Sequence, residues 1–261
     1  MTEKMLSRIE GRVGIMTFNN PEKHNAVSFE MWEAAERILD GFINNPDVRV
    51  IVLTGAGGKA FVSGADISKF ESERASEEAV AKYNALVDKV YTQIYQMKKP
   101  TIAMIRGYCI GGGLNLAICC DMRFATENSK FALPAAKLGL GYGYNGLRRY
   151  IETIGAPATK EIFFTARQFT AAEAYRWTMI NEIIPDADLE THVMGVANMI
   201  ADNAPLTIAT IKASTVEILK NDADQDIAKC DAMVAACFAS ADYKEGRKAF
   251  AEKRKPQFTG A

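Results

Sequence analysis

Histidine and tryptophan are scarce in this chain, two of each in 261 residues, and its five cysteines never fall in a CxxC spacing. Such a set supplies neither a zinc-ligand pattern nor a disulfide framework. Cys109, Cys119, Cys120, Cys230 and Cys237 read as buried thiols of a reducing compartment. A basic surplus is also missing. Lys and Arg total 31 against 32 Asp and Glu, a net charge of −1, which argues against a dedicated nucleic-acid binder. There is no run of roughly 18 uncharged apolar residues for a membrane-spanning helix. The opening MTEKMLSRIEGRVG has no apolar signal-peptide core, so cytoplasm is the expected location. What remains is 48% hydrophobic and 24% charged, the composition of a globular protein with a sizeable core.

The first part alternates strand and helix. Arg12 to Phe18 is a β-type run that stops at the turn cluster Asn19 to Asn25. Ser28 is placed to cap a helix running to Ile43, with Trp32, Ala35, Leu39 and Phe42 on one face. Val48 to Thr54 is nearly all apolar, as in a strand buried on both faces. Phe61 to Ile67 follows, then a charged stretch leading into a helix through Met97, with Tyr83, Val87, Val90 and Ile94 at helical spacing. Thr101 to Ile105 is a strand, Gly107 to Gly113 a glycine-rich turn, and Leu114 to Cys120 the start of a helix. Asp121 to Ala125 and the run around Phe131 are further short strands. From about Glu152 the pattern is helical with short interruptions, notably over Leu189–Ala201, Pro205–Lys220 and Asp224–Ala239. The expectation is a layered α/β core over 1–200 and a helical region over 201–261.

Three glycine clusters invite a phosphate or cofactor reading. Gly141-Tyr-Gly-Tyr-Asn-Gly146 matches GxGxxG, yet Pro134 and Lys137 interrupt what should be a strand before it, and the acid at the required distance, Glu161, lies in a helical pattern. Gly55 to Lys59 lacks the Gly-Lys-Ser/Thr ending of a P-loop. Gly111-Gly-Gly113 follows an apolar strand and opens a helix, where unpaired N–H groups and the helix dipole favour negative charge. That is an oxyanion receptor made of backbone. The bend through Gly64 is the candidate for a second donor.

With both bends in view, FVSGADI, KKPTIAMIRGYCIGGGLNLAICCD and LPAAKLGLGYGYNGLRR resemble the enoyl-CoA hydratase/isomerase (crotonase) superfamily across the whole chain. The resemblance implies a crotonase-like spiral of ββα units with a C-terminal helical trimerisation region, assembled as a homotrimer or dimer of trimers. It implies an acyl-CoA thioester as substrate, coenzyme A entering only as part of it, with no metal and no other cofactor. Carried over, the Ala65 and Gly112 N–H groups hold an enolate oxygen. Asn25, Ala26, Asp66, Ile67, Gly111 and Pro134 fall in the family's coenzyme A and substrate segments. Phe250 and Lys253 match the C-terminal residues that lean on the coenzyme.

The chain departs from the hydratases of that family where it matters for chemistry. Their two glutamates correspond to Asn115 and Ala135, and the isomerase glutamate corresponds to Gly143. Neither an amide nor a methyl group relays a proton at neutral pH. Asn115, Tyr142, Tyr144 and Asn145 supply hydrogen bonds but no base. Decarboxylation of a malonyl-type thioester makes an enolate without a base, and the region around Tyr142 is similar to methylmalonyl-CoA decarboxylase, although that enzyme has histidine where Ala65 stands. A lyase of this kind is the leading expectation. An unconventional hydratase or isomerase, or a silent acyl-CoA-binding paralogue, are the alternatives. Asp66 and Asp121 read as capping or ion-pairing groups, Glu152 or Glu161 could reach inward, and His24 and His192 lack triad partners. RNA binding is disfavoured by the acidic helix face of Glu30, Glu33, Glu36 and Asp40.

Overall fold

The structure, a computed structural model, describes residues 2–66, 69 and 76–261. An antiparallel pair, β1 (Met5–Glu10) and β2 (Val13–Phe18), leads into α1 (Phe29–Asn44). A strand–strand–helix unit then repeats three times. The first is β3 (Val50–Gly55), β4 (Ala60–Val62) and α2 (Glu77–Gln96). The second is β5 (Thr101–Ile105), β6 (Tyr108–Ile110) and α3 (Gly112–Cys119). The third is β7 (Met122–Thr126), β8 (Lys130–Ala132) and α4 (Tyr144–Thr165). After it come β9 (Phe169–Thr170), α5 (Ala171–Arg176), β10 (Glu182–Ile184), α6 (Leu189–Ala201), α7 (Pro205–Ile218), α8 (Ile227–Ala239) and α9 (Ala241–Ala251).

The first strand of each unit joins one sheet, in the order β1-β2-β3-β5-β7-β10, parallel from β2 onward. The second strand of each joins a smaller sheet, β4-β6-β8-β9, parallel except for β9. The chain therefore climbs as a spiral of ββα turns, the architecture expected from the resemblance. In the larger sheet the apolar runs are continuous because both faces are covered. Val50 and Val52 face α6 together with Ile102 and Met104, and their neighbours Ile51, Leu53, Ala103 and Ile105 face the main core. Trp32, Ala35, Leu39 and Phe42 of α1 are all buried, as their spacing requires.

Two local expectations change, and a third takes definite form. Ser28 stands at the N-cap of α1 in extended conformation, but its hydroxyl makes no capping bond, and the helix is held by its packed face instead. The helical pattern starts at Tyr144, ahead of Glu152. Two short strands, β9 and β10, supply interruptions in the mainly helical region, and β10 closes the edge of the larger sheet beside β7. With two and three residues, they are too short to show a period.

Cys109, Cys119 and Cys120 are buried. Burial raises all three thiols, with Cys119 pushed up to about 11 even though the Arg149 guanidinium opposes it. The thiol form therefore persists in the fold at pH values where an unfolded chain already ionises, so these groups remove stability as pH rises from about 9 toward 11. At pH 8 the native protein should leave all three untouched by a disulfide-exchange reagent, and denaturation should expose them. Fast labelling of Cys119 in the native state would contradict this environment.

Candidate active site

Two bends meet because the strands before them are paired. β4 and β6 lie parallel, Ala60 opposite Tyr108 and Val62 opposite Cys109, so the turns at their C-terminal ends emerge side by side. Gly64 follows β4 at φ +105°, and Gly111 follows β6 at φ +56°. A Cβ on Gly113 would come within 2.1 Å of the Val62 carbonyl oxygen, so only glycine lets α3 seat this closely on β4. A Cβ on Gly64 would stand 3.8 Å from the Gly112 nitrogen, which sets the two backbones in contact.

The donors in these bends are free of protein acceptors among the described residues. Beside β4 the chain forms one parallel bridge to Val27. Val27 N–H donates to the Gly64 carbonyl at 2.8 Å, and Asp66 N–H donates to the Val27 carbonyl at 3.0 Å. Alternation along an extended segment then turns the Ala65 N–H to the opposite side, away from Val27. Gly111 N–H donates to the Ala132 carbonyl at 2.9 Å, but Gly112 is the first residue of α3, where an N–H has no partner in the helix.

A cavity of about 410 Å³ opens between α2, α3 and the start of α4, and one of its lining residues, Tyr91, reaches Gly112. Its inner wall is a cluster of phenols around one amide. The Asn115 side-chain oxygen accepts from the Tyr150 hydroxyl at 2.8 Å and from the Tyr142 hydroxyl. The Tyr91 hydroxyl, on the same wall, donates to the Gly112 carbonyl at 2.9 Å. Packing fixes the rings. Tyr142 and Tyr150 meet Phe163 edge-on at 4.7 and 5.2 Å, and Tyr91 meets Trp32 at 5.5 Å. Burial raises all three phenols above their usual range, so they are neutral O–H groups at any physiological pH.

The candidate residues from the sequence divide into two groups. Ala65, Gly111, Gly112, Asn115 and Tyr142 come together at the bends and the inner wall. Pro134 opens the turn Pro134–Leu138, and Ala135 behind it is buried. Phe250 and Lys253 stand apart at the end of α9. Phe250 is 87% exposed and lines a separate groove with Leu206 and Phe238. Ile67 lies outside the described residues.

The Asn25 side chain is no surface for a ligand. It is fully buried, accepting from Asn20 N–H at 2.9 Å and donating to the Ala56 and Ala60 carbonyls at 2.9 and 2.7 Å. It holds its left-handed turn against β4, so any contact from this segment falls to its neighbours, including the half-buried Ala26. Asp66 is buried and ion-paired with Lys23 at 2.9 Å.

Asp121 pairs with Lys212 at 2.8 Å, Glu152 with Arg148 at 2.6 Å, and Glu161 with Arg167 at 2.6 Å, so neither glutamate points into the cavity. Gly141 and Gly143 have open space where a Cβ would go, whereas a Cβ on Gly146 would strike the Tyr142 ring at 2.8 Å. The GxGxxG spacing there thus serves the seating of Tyr142, and a 3₁₀ turn rather than a strand precedes it.

Tyr91, Tyr150 and Asp88 also line the cavity, although the sequence reading had not singled them out. Their signal was positional: Val87 and Tyr91 continue the four-residue step from Tyr83, and that spacing also describes an ordinary core face.

Comparison with known proteins follows the same geometry. A family model described as enoyl-CoA hydratase/isomerase matches residues 8–261. The chain is 33% identical over 257 residues to a crotonyl-CoA hydratase of Syntrophomonas wolfei, covering 98% of each protein. It is 32% identical over 246 residues to a short-chain-enoyl-CoA hydratase of Clostridium acetobutylicum, covering 94% of each. An enoyl-CoA hydratase/carnithine racemase structure from Magnetospirillum magneticum superposes with a TM-score of 0.92 at 31% identity, over 100% of this chain and 97% of that one.

Proposed function

The chain belongs to the enoyl-CoA hydratase/isomerase family, and from that membership we propose an acyl-CoA lyase that makes its enolate by expelling carbon dioxide from a malonyl-type thioester. The thioester oxygen sits on the Ala65 and Gly112 N–H groups. As the bond from Cα to the carboxylate breaks, its electron pair moves onto that oxygen, and the resulting charge is met by donors already in place. Cα then takes a proton, and the product leaves as the saturated thioester.

One observation carries this reading. The cavity wall next to Gly112 is built of Asn115 and three neutral phenols, and Asn115 and the buried Ala135 stand at the positions the resemblance assigns to the glutamates of the hydratases. Such a wall can donate hydrogen bonds to an anion, but it cannot remove a proton from Cα or from water.

A second reading, hydration, draws on Asp88. Its carboxylate lines the same cavity from α2, and the relatives named above are hydratases.

Turnover of methylmalonyl-CoA, ethylmalonyl-CoA and crotonyl-CoA, followed by mass spectrometry, separates the two. The proposal expects loss of carbon dioxide from at least one malonyl thioester and negligible hydration of crotonyl-CoA. Hydration at the pace of ordinary hydratases, abolished by Asp88→Asn, would replace it with the second reading. Tyr142→Phe removes one of the bonds that orient Asn115 and should slow decarboxylation roughly tenfold, the worth of one buried hydrogen bond. Decarboxylation that survives this change untouched would take Tyr142 out of the mechanism.

A further inference from the structure

We propose that Tyr91, on α2, is the catalytic acid that returns a proton to Cα of the enolate. This rests on the decarboxylase reading above and identifies the donor that reading leaves open.

The three phenols of the inner wall are not equivalent. Tyr142 and Tyr150 both aim their hydroxyl protons at the Asn115 side-chain oxygen, so the two are committed to holding that amide. Tyr91 is held differently, its proton pointing to the Gly112 carbonyl at 2.9 Å. That carbonyl belongs to the first residue of α3 and already serves the helix's own bonding pattern, so the Tyr91 proton can turn from it without leaving a buried acceptor unpaired.

Position completes the case. A Cβ built on Gly112 would lie 3.2 Å from the Tyr91 hydroxyl oxygen, so the phenol stands over the residue whose N–H receives the thioester oxygen. The Trp32 ring, itself anchored by its N–H to the Tyr83 hydroxyl at 3.2 Å, packs edge-on against the Tyr91 ring and fixes it there.

The step balances without a co-reactant. The Tyr91 O–H bond breaks, a C–H bond forms at Cα using the enolate's electron pair, and the thioester carbonyl is restored. The phenolate then recovers its proton from water entering the cavity.

The test is decarboxylation of fresh methylmalonyl-CoA in deuterium oxide, with the configuration of the deuterated Cα determined in the product. The wild-type protein should deliver deuterium to one face. Tyr91→Phe should still release carbon dioxide but yield racemic product, because water then protonates a free enolate from either side. Tyr142→Phe should be slower yet keep a single configuration.

Single-face delivery by Tyr91→Phe would overturn the assignment while leaving the decarboxylase reading intact. Absence of decarboxylation by the wild-type protein would remove that reading and the assignment with it. If Tyr91→Phe does not fold, 3-fluorotyrosine at position 91 supplies a nearly isosteric, more acidic phenol. In equal parts of light and heavy water it should change the deuterium content of the product, and an unchanged content would exclude Tyr91 as the donor.

Discussion

Gly64→Ala should lower turnover of any accepted thioester by roughly 10²–10³-fold, the usual loss when one oxyanion donor is misplaced. Gly64 sits at φ +105°, a conformation that L side chains rarely adopt, and the strain of holding alanine there is about 1–3 kcal/mol. The backbone relieves that strain by rotating the peptide that joins Gly64 to Ala65, and this is the peptide whose N–H receives the oxygen. The new methyl group would also stand 3.4 Å from the Ile110 carbonyl oxygen and 3.8 Å from the Gly112 nitrogen, inside the gap between the bends. The loss should fall on kcat, since donors that act on developing charge contribute little to ground-state binding. Steady-state kinetics with the best thioester checks this, and a variant with unchanged kcat would mean that the Ala65 amide takes no part.

Asn115→Leu should cost about 3 kcal/mol of stability, because it strips the acceptor from two buried phenols at once. Tyr142 and Tyr150 have no other acceptor for their hydroxyl protons among the described residues, and leucine keeps the volume while removing the polarity. For a chain of this length such a loss corresponds to a fall of roughly 6–12 °C in Tm. Asn115→Asp supplies the control. A carboxylate there still accepts both hydroxyls, so most of the Tm should return at neutral pH. Thermal unfolding of the two variants decides the matter. Equal Tm values for Asn115→Leu and the wild type would show that the phenol cluster is not organised by this amide.

How far the fold and site could be read from the sequence depended on what each feature demands of the backbone. The two bends were legible because a positive φ at Gly64 and the close seating of Gly113 on Val62 leave glycine as the residue that fits, and glycine is visible in a sequence. The doubly buried strands were legible through their unbroken apolar runs, and α6 was legible to its end residues.

The phenol cluster was half legible. Tyr142 stood out in a glycine-rich loop, whereas Tyr91 and Tyr150 lie on helices at the spacing of ordinary core residues, and only tertiary packing aims the first at the Gly112 carbonyl and the second at Asn115. Asn25 entered only through the resemblance, as part of a coenzyme A segment, and nothing in its sequence position shows that its side chain turns inward to bond the backbone around β4. Asp88 could not be read from its position, because it is an exposed carboxylate on an amphipathic helix and only the fold places it at the mouth of a cavity.

The most direct test is a crystal structure of the protein with a non-reactive acyl-CoA thioester analogue bound. The account predicts that the analogue's carbonyl oxygen lies about 2.7–3.1 Å from both the Ala65 and Gly112 nitrogens, with its Cα facing the phenol wall. A carbonyl oxygen bound elsewhere, or either N–H turned away onto a protein acceptor, would contradict it.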